Sequence, residues 1–420
     1  MTIYKTIKSS LAGVALLAGI AISGSANSAD VKLRYAIWDQ SQAPTFEKII
    51  EAYEAAHPGI DIELQVVPWG KYWTKLQTEA GNDNLPDVFW MNPFNFPLYA
   101  SNGVVLPIDE MVEKAGFDAD AIPEAMRKIY SYEDKLYSLP NNRDAIVVWY
   151  NKKIFKDAGV DEPKAGWTWD DFKSTANALT NKEAGIWGTA AYLNFRQVWI
   201  NTIAQAGGSI LSADEKTSTW NTPEVAAGVQ YWSDIAQSGS SPTVDQLSDT
   251  DQYNMFLSGK LGMIYAGSWV GISFSQSDIA GAGDLGVAVL PTGPVSNAAS
   301  TSSLGNMIGA TTKNVDEAYD FVEFLGGKEA AAIYTSGGVA LAAYPEYDVN
   351  FIKFFEGKFD AQPISDQISN VFGLPRSFNS PVWLKQMNPV MGPVFKGEMT
   401  VEDGLKKLQS EMQRALDAES

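Results

Sequence analysis

One histidine, His57, stands among the 420 residues, and there is no cysteine. A Ser–His–Asp site would have to use that histidine. It closes a helical stretch just before Pro58-Gly59, however, where an imidazole meets the helix dipole favourably. Without cysteine there is no thiolate catalysis and no disulfide, and a zinc site lacks its usual ligands. Asp245, Asp249 and Asp251 are close in sequence but lack the calcium-loop pattern and its terminal Glu, so they read as a solvated, helix-capping segment. Paired carboxylates hydrolyse glycosides, yet among 50 acidic residues a suitable pair always exists on paper. "GSWVG" and "SGGVA" lack phosphate-loop and dinucleotide spacing. No metal and no cofactor is expected.

A different chemistry is written in a set of loops that pair aromatic with polar residues: "IWDQSQ" (37–42), "FWMNPFN" (89–95), "NNRD" (141–144), "YLNFRQ" (192–197), "AGSWVG" (266–271), "SLGN" (303–306) and "LPRSFNSPVW" (374–383). A sugar presents apolar C–H faces and a rim of hydroxyls. An aromatic plane covers the face, carboxylates and amides hydrogen-bond the rim, and arginine donates a planar fork. The chain has 13 tryptophans and 12% aromatic residues, several of them in glycine- or proline-flanked positions rather than on periodic core faces. Such tryptophans are the material of a binding cleft.

The elements that must carry these loops are of α/β type. Val31, Leu33, Tyr35 and Ile37 alternate as a strand; Phe46, Ile49, Ile50 and Tyr53 follow at helical spacing; Ile60, Ile62, Leu64 and Val66 alternate again. Trp69, Trp73, Leu76 and Ala80 mark a second helix, and "PDVFW" (86–90) a third strand. Strand–helix–strand–helix–strand implies a parallel sheet with right-handed crossovers. The loops "IWDQSQ" and "FWMNPFN" follow strands of that sheet, where α/β proteins bind ligands. Further helices start at Thr168 with Asp171, at Thr222-Pro223, at Asn314 with Glu317 and at Thr400. Residues 145–150 read as a buried strand whose entrance, Asn141 to Asp144, is polar.

Residues 1–29 read as a secretory signal peptide: Lys5 and Lys8, an apolar stretch from Leu11 to Ile22, then small residues up to Ala29. No cysteine follows, so no lipid anchor is expected, and the periplasm is the expected compartment. The formal net charge is −19, and the leader carries two lysines and no acid, so the processed chain is more acidic still. That disfavours nucleic acid and anionic lipid as partners. The remaining ~390 residues are enough for two substantial lobes.

In order along the chain, "LPDVFWMN…YASNGVVLPIDE" (85–110), "YSLPNNRDAIVVWYNKKIFKDAGVDEP…TWDDF" (137–172), "AQAGGSIL" (204–211), "FLSGKLGMIYAGSW" (256–269), "EAYDFVEFLGGKEAA" (317–331) and "GEMTVEDGLKKLQSEMQRAL" (397–416) resemble the extracellular solute-binding proteins of ATP-driven sugar importers, of the maltodextrin and multiple-sugar type. The resemblance implies a two-lobed α/β fold, each lobe a mostly parallel sheet flanked by helices, with the ligand cleft at the hinge. It implies lobe one at 30–143 plus 300–343 and lobe two at 144–299 plus 344–420. It implies a monomer that hands a sugar to the transmembrane permease subunits of an ATP-binding-cassette importer and does no bond chemistry. Carried over position by position, it puts ligand contacts at Trp38, Asp39 and Gln40, at Trp90 and Asn92, at Asp144 as the sugar-binding acid, and at Trp269 as a stacking aromatic. Gly305 and Asn306 match a loop that approaches the sugar, Asn194 and Phe195 a variable loop, and Arg376 and Trp383 a late cleft-lining segment. Arg143 is expected beside Asp144 as its ion partner or turned to hold the hinge. The readings kept beside this one are a secreted glycoside-active enzyme and the same fold binding a polyamine.

Overall fold

The computed structural model describes residues 31–122 and 124–419; the expected signal peptide at 1–29 lies outside the described residues. Strand β1 (Val31–Ile37), helix α1 (Ala43–Ala56), β2 (Ile60–Val66), α2 (Trp69–Gly81) and β3 (Val88–Met91) form in the order the periodicity predicts. A two-residue strand, β4 (Asn142–Arg143), leads into β5 (Ile146–Asn151). Then come α3 (Trp169–Leu179), α4 (Pro223–Ser238), β6 (Met263–Gly267), β7 (Leu285–Ala288), β8 (Ala299–Thr301), β9 (Gly305–Ile308), α5 (Val315–Gly326), β10 (Leu341–Ala342), β11 (Val371–Gly373), α6 (Ser380–Lys396) and α7 (Val401–Asp417).

Two sheets organise two lobes. The first runs β9-β3-β1-β2, parallel within β1–β3 and closed by the antiparallel edge strand β9. Alternation along β1 drives Leu33, Tyr35 and Ile37 inward against Phe46, Ile49 and Tyr53 of α1, all buried. The second runs β6-β5-β7, and here the expectation of a mostly parallel sheet fails, because β5 is antiparallel to both neighbours. The cause is the direction of entry. β5 arrives from the first lobe and runs against β6 and β7, which share one direction and are joined by helical turns at 271–275 and 278–281. β5 is buried on both faces: Val147 and Trp149 join one apolar cluster, while Ile146, Val148 and Tyr150 join another built largely on α3, α4, α6 and α7.

Local signals place the helix starts. Thr168 and Asp171 form a reciprocal capping box, and Thr222 and Thr400 cap α4 and α7 through their hydroxyls. Asn314 stands at the start of α5 but its side chain makes no cap bond; its backbone N–H donates to Thr312 Oγ1 at 3.2 Å. His57 ends α1 stacked on Tyr53, with Nδ1 2.8 Å from the Tyr53 carbonyl and Nε2 3.0 Å from Asp320. Among the described residues no helix is long and apolar enough to cross a membrane.

Candidate functional site

The C-terminal edge of the first sheet carries the first group of expected contacts. Trp38, just past β1, is half-buried and edge-on to Trp90 (4.9 Å), Tyr72 (5.1 Å) and Trp69 (5.3 Å). Trp69, at the start of α2, is 53% exposed. Asp39 folds back on its own turn, accepting from the Ser41 amide (2.9 Å), the Ser41 hydroxyl (2.7 Å) and Gln42 Nε2 (3.1 Å). Gln40 is exposed. Asn92 is half-buried and accepts from the Asn95 amide at 2.9 Å.

Trp90 and Asn306 are not at the surface. Both are fully buried, in a relay: Trp90 Nε1 donates to the Tyr35 hydroxyl (2.7 Å), which donates to Asn306 Oδ1 (2.8 Å). Burial pushes the Tyr35 hydroxyl well up, with the Trp90 bond partly opposing. Trp90 supports the Trp38 ring from beneath, and Asn306 Nδ2 is buried without a partner among the described residues. Gly305 pairs with Met91 at the same edge; a Cβ there would fall 2.6 Å from Met307 Cε and 2.9 Å from the Tyr130 ring. The glycine is therefore explained by packing alone.

The facing edge belongs to the second sheet. β6 ends at Gly267 and turns so tightly that the Trp269 ring lies back on it. The Arg196 guanidinium sits over that ring, 4.3 Å from its centroid. Arg196 is delivered by a single π-helical turn, Phe195–Trp199, a distortion that leaves carbonyls over. Asn201 collects them, its Nδ2 lying 3.0, 3.0 and 3.3 Å from the carbonyls of Arg196, Gln197 and Val198. Its Oδ1 accepts the Ser300 amide at 2.7 Å, which ties the turn to β8. Arg196 Nη2 then reaches Asp144 (2.9 and 2.8 Å) and Ser302 Oγ (2.6 Å). Asp144, buried on all but 5% of its surface, also accepts the Ser302 amide (2.8 Å) and hydroxyl (3.1 Å). A carboxylate offers about four acceptor positions, and here both oxygens are faced by protein donors.

Three chain passages meet here. Asn142 Oδ1 accepts from Leu304 N (2.7 Å) and Ser303 Oγ (3.1 Å), and Asn142 Nδ2 donates to the Tyr334 hydroxyl (3.0 Å). β4 pairs with β10, and Arg143 turns away from Asp144 to donate to the Ala342 carbonyl (2.6 Å) and to Asp348 (2.5 Å). The passages at 141–144, 301–304 and 341–343 therefore lie side by side. Burial raises the Tyr334 pKa, the Asn142 bond lowers it, and Asp144 and Asp39 both add to the rise, so a carboxylate from each edge acts on this one hydroxyl.

The later segments divide. Phe195 is buried beside Trp199, with Phe94 of the first lobe 6.5 Å away. Asn194 is half-buried and caps the π-turn through the Gln197 amide at 3.0 Å. Arg376 donates to the carbonyls of Lys128 and Ile129, bridging to the first lobe beside a small cavity of about 180 Å³. Trp383 does not line a cleft: it is 2% exposed, inside α6, with Nε1 donating to Ser377 Oγ at 3.0 Å. Its residue type suited either place, and the inward face of α6 decided it. Sequence reasoning missed Arg196, Ser302 and Trp69. Arg196 was visible as the one cation in "YLNFRQ"; nothing marked Ser302. Asp251 caps a helix through the Tyr253 amide (2.7 Å) and Asp245 pairs with Lys396 (2.6 Å). Among the described residues no cluster of His, Cys, Asp or Glu could hold a metal ion.

Comparison with known proteins gives a consistent result. The profile of the bacterial extracellular solute-binding protein family matches residues 39–332. A protein of Brucella abortus (strain 2308), named only as a binding protein, is 27% identical over 342 residues, 80% of each chain. The diacetylchitobiose-binding protein of Streptomyces coelicolor is 26% identical over 312 residues, 72% of this chain and 69% of that one. The structure of a Listeria monocytogenes ABC substrate-binding protein in complex with cycloalternan superposes with a TM-score of 0.85 at 23% identity, over 92% of this chain and 99% of that one.

Proposed function

The chain belongs to the bacterial extracellular solute-binding proteins, and on that premise we propose that it captures a sugar between its lobes and delivers it to the permease of an ATP-driven importer. The observation that carries this reading is the meeting of two strand-end edges, lined by half-exposed tryptophan and polar side chains, at three adjacent chain passages. Those passages fit lobe one at 30–143 plus 300–343 and lobe two at 144–299 plus 344–420. Trp38, Asp39, Gln40 and Asn92 would meet the sugar from lobe one, and Arg196, Trp269 and Asn194 from lobe two. The family is one of binding proteins rather than enzymes, and we extend this to a capture cycle without bond chemistry. The protein would act in the periplasm as a monomer, with residues 1–29 removed on export and no lipid attached.

Capture works through population shift. A sugar that touches both edges binds only the closed form, so it draws the open form toward closure. Moving from mostly open to mostly closed takes ~5 kcal/mol of differential binding. A few desolvated hydrogen bonds to charged groups at ~1.5–3 kcal/mol each supply that. A thermal-shift screen over a sugar library, followed by small-angle scattering with the hit, tests the proposal. A raised melting temperature, a smaller radius of gyration and unchanged sugar are expected. Turnover of the sugar would make the protein an enzyme, and stabilisation by a polyamine alone would keep the fold and change the ligand.

A further inference from the structure

We propose that Arg196, rather than Asp144, is the charged group that meets the ligand, that Asp144 and Ser302 position it, and that the resulting neutralised guanidinium selects uncharged polyhydroxylated ligands over anionic ones. This rests on the capture reading above. Each Asp144 oxygen faces two protein donors, Arg196 Nη2 and a Ser302 N–H or O–H, with the two Nη2 hydrogens shared among both oxygens and Ser302 Oγ, and the side chain is buried, so a ligand hydroxyl would have to displace a protein donor to reach it. Arg196 is in the opposite condition. Its Nη2 is fully used, while Nε and Nη1 donate to nothing among the described residues, and Nε is shielded from solvent. The guanidinium keeps about a quarter of its side chain exposed. Its plane is fixed from below by Trp269 and from the side by a carboxylate and a serine. Nη1 is therefore the preorganised donor left for a ligand acceptor.

Charge decides which acceptors. One guanidinium faces one buried carboxylate, so the pair offers hydrogen bonds without net charge. A sugar hydroxyl or ring oxygen can take them. A phosphate or carboxylate would gain the same bonds but also face Asp144 across the same group, which a low-dielectric junction penalises. The neighbouring cation, Arg376, already faces main-chain carbonyls.

The full chain and three variants, Asp144→Asn, Arg196→Gln and the double variant, are titrated by calorimetry with maltotriose, diacetylchitobiose and sn-glycerol 3-phosphate at low and high salt. Wild type is expected to bind a neutral sugar and not the phosphate ester. Arg196→Gln should bind that sugar about tenfold or more weakly and gain no anion. Asp144→Asn should lose neutral affinity and acquire glycerol phosphate binding that fades as salt rises, a gain that a purely structural role for Asp144 would not produce. If Asp144→Asn does not fold, the double variant, which buries no lone charge, must show the neutral loss. Wild-type neutral affinity in Arg196→Gln, or equal binding of sugar and phosphate ester by wild type, overturns the inference while leaving sugar capture standing. A wild-type chain that binds none of the probes and no member of the sugar library overturns both.

Discussion

Gly267→Ala perturbs the floor of the junction without touching any hydrogen bond. Gly267 has φ −72° and ψ 154°, a conformation alanine adopts freely, so the backbone offers no objection. The side chain does. A Cβ on Gly267 would lie 2.0–2.2 Å from three carbons of the Trp269 ring, whereas carbon pairs settle at ~3.5–4.0 Å. The ring must retreat by ~1.5 Å, and Arg196 lies over it, pinned by Asp144. Losing the guanidinium–indole contact costs ~0.5–2 kcal/mol, and wetting part of the indole adds about 1 kcal/mol. Alanine returns ~0.4–1 kcal/mol through the unfolded chain. The net is a destabilisation of about 1–2 kcal/mol, or a fall of ~2–4 °C per kcal/mol in the melting temperature of a lobe of this size. Urea denaturation followed by tryptophan fluorescence measures it, and a cycle with Trp269→Ala isolates the cause. In the Trp269→Ala background the same Gly267→Ala change should cost nothing or stabilise by ~0.4–1 kcal/mol. An equal cost in both backgrounds would mean that the new methyl meets something other than the ring, and the account of this turn would fall.

Two tryptophans of opposite exposure should part company in the protein. Trp383→Ala empties a site that is 2% exposed and should cost ~3–5 kcal/mol in urea. Trp69→Ala, at 53% exposure, should cost about 1 kcal/mol or less and act mainly on sugar affinity; the reverse order would misplace both. The Arg143–Asp348 pair carries a pH signature. Burial, the larger influence, raises the Asp348 carboxyl above its ordinary 3.8 against the pull of Arg143. A folded-state pKa above the unfolded one gives stability that is complete below the unfolded value and lost as pH rises through the folded one. Wild type should therefore lose ground to Asp348→Asn as pH climbs from about 4. A wild-type urea midpoint that instead gains on the variant's over that range sinks the assignment.

The first lobe was legible because its signals are local. Alternation in 31–37 and 60–66, helical spacing in 46–53 and a short apolar run at 88–91 each fix one element, and the parallel order follows from connection rules. The second sheet was not legible in the same way. Ile146–Asn151 reads as a buried strand in any sheet, and its antiparallel setting depends on where the chain comes from, which no window of a dozen residues contains. Trp90, Asn306 and Trp383, expected as cleft contacts, are buried for a related reason. A tryptophan with its N–H satisfied by Tyr35 or Ser377 is as comfortable buried as exposed, and for Trp383 the deciding factor is the helix face it stands on, whose direction is set elsewhere.

The site carries this limit to its centre. The resemblance singles out Asp144 at the polar mouth of a buried strand, but its role was not legible in the sequence. The role depends on whether its acceptor positions are free, and they are filled by Arg196, 52 residues away, and Ser302, 158 residues away. The donors arrive there because a π-turn held by Asn201 projects Arg196 and because the returning passage lays Ser302 beside Asp144. A carboxylate with free lone pairs is a ligand contact, while one already saturated fixes the geometry and charge of its neighbour. The same residue at the same position can thus move from contact to support when a single arginine enters its surroundings. On the inference drawn above, that exchange would change which ligands the cleft accepts while leaving the scaffold in place.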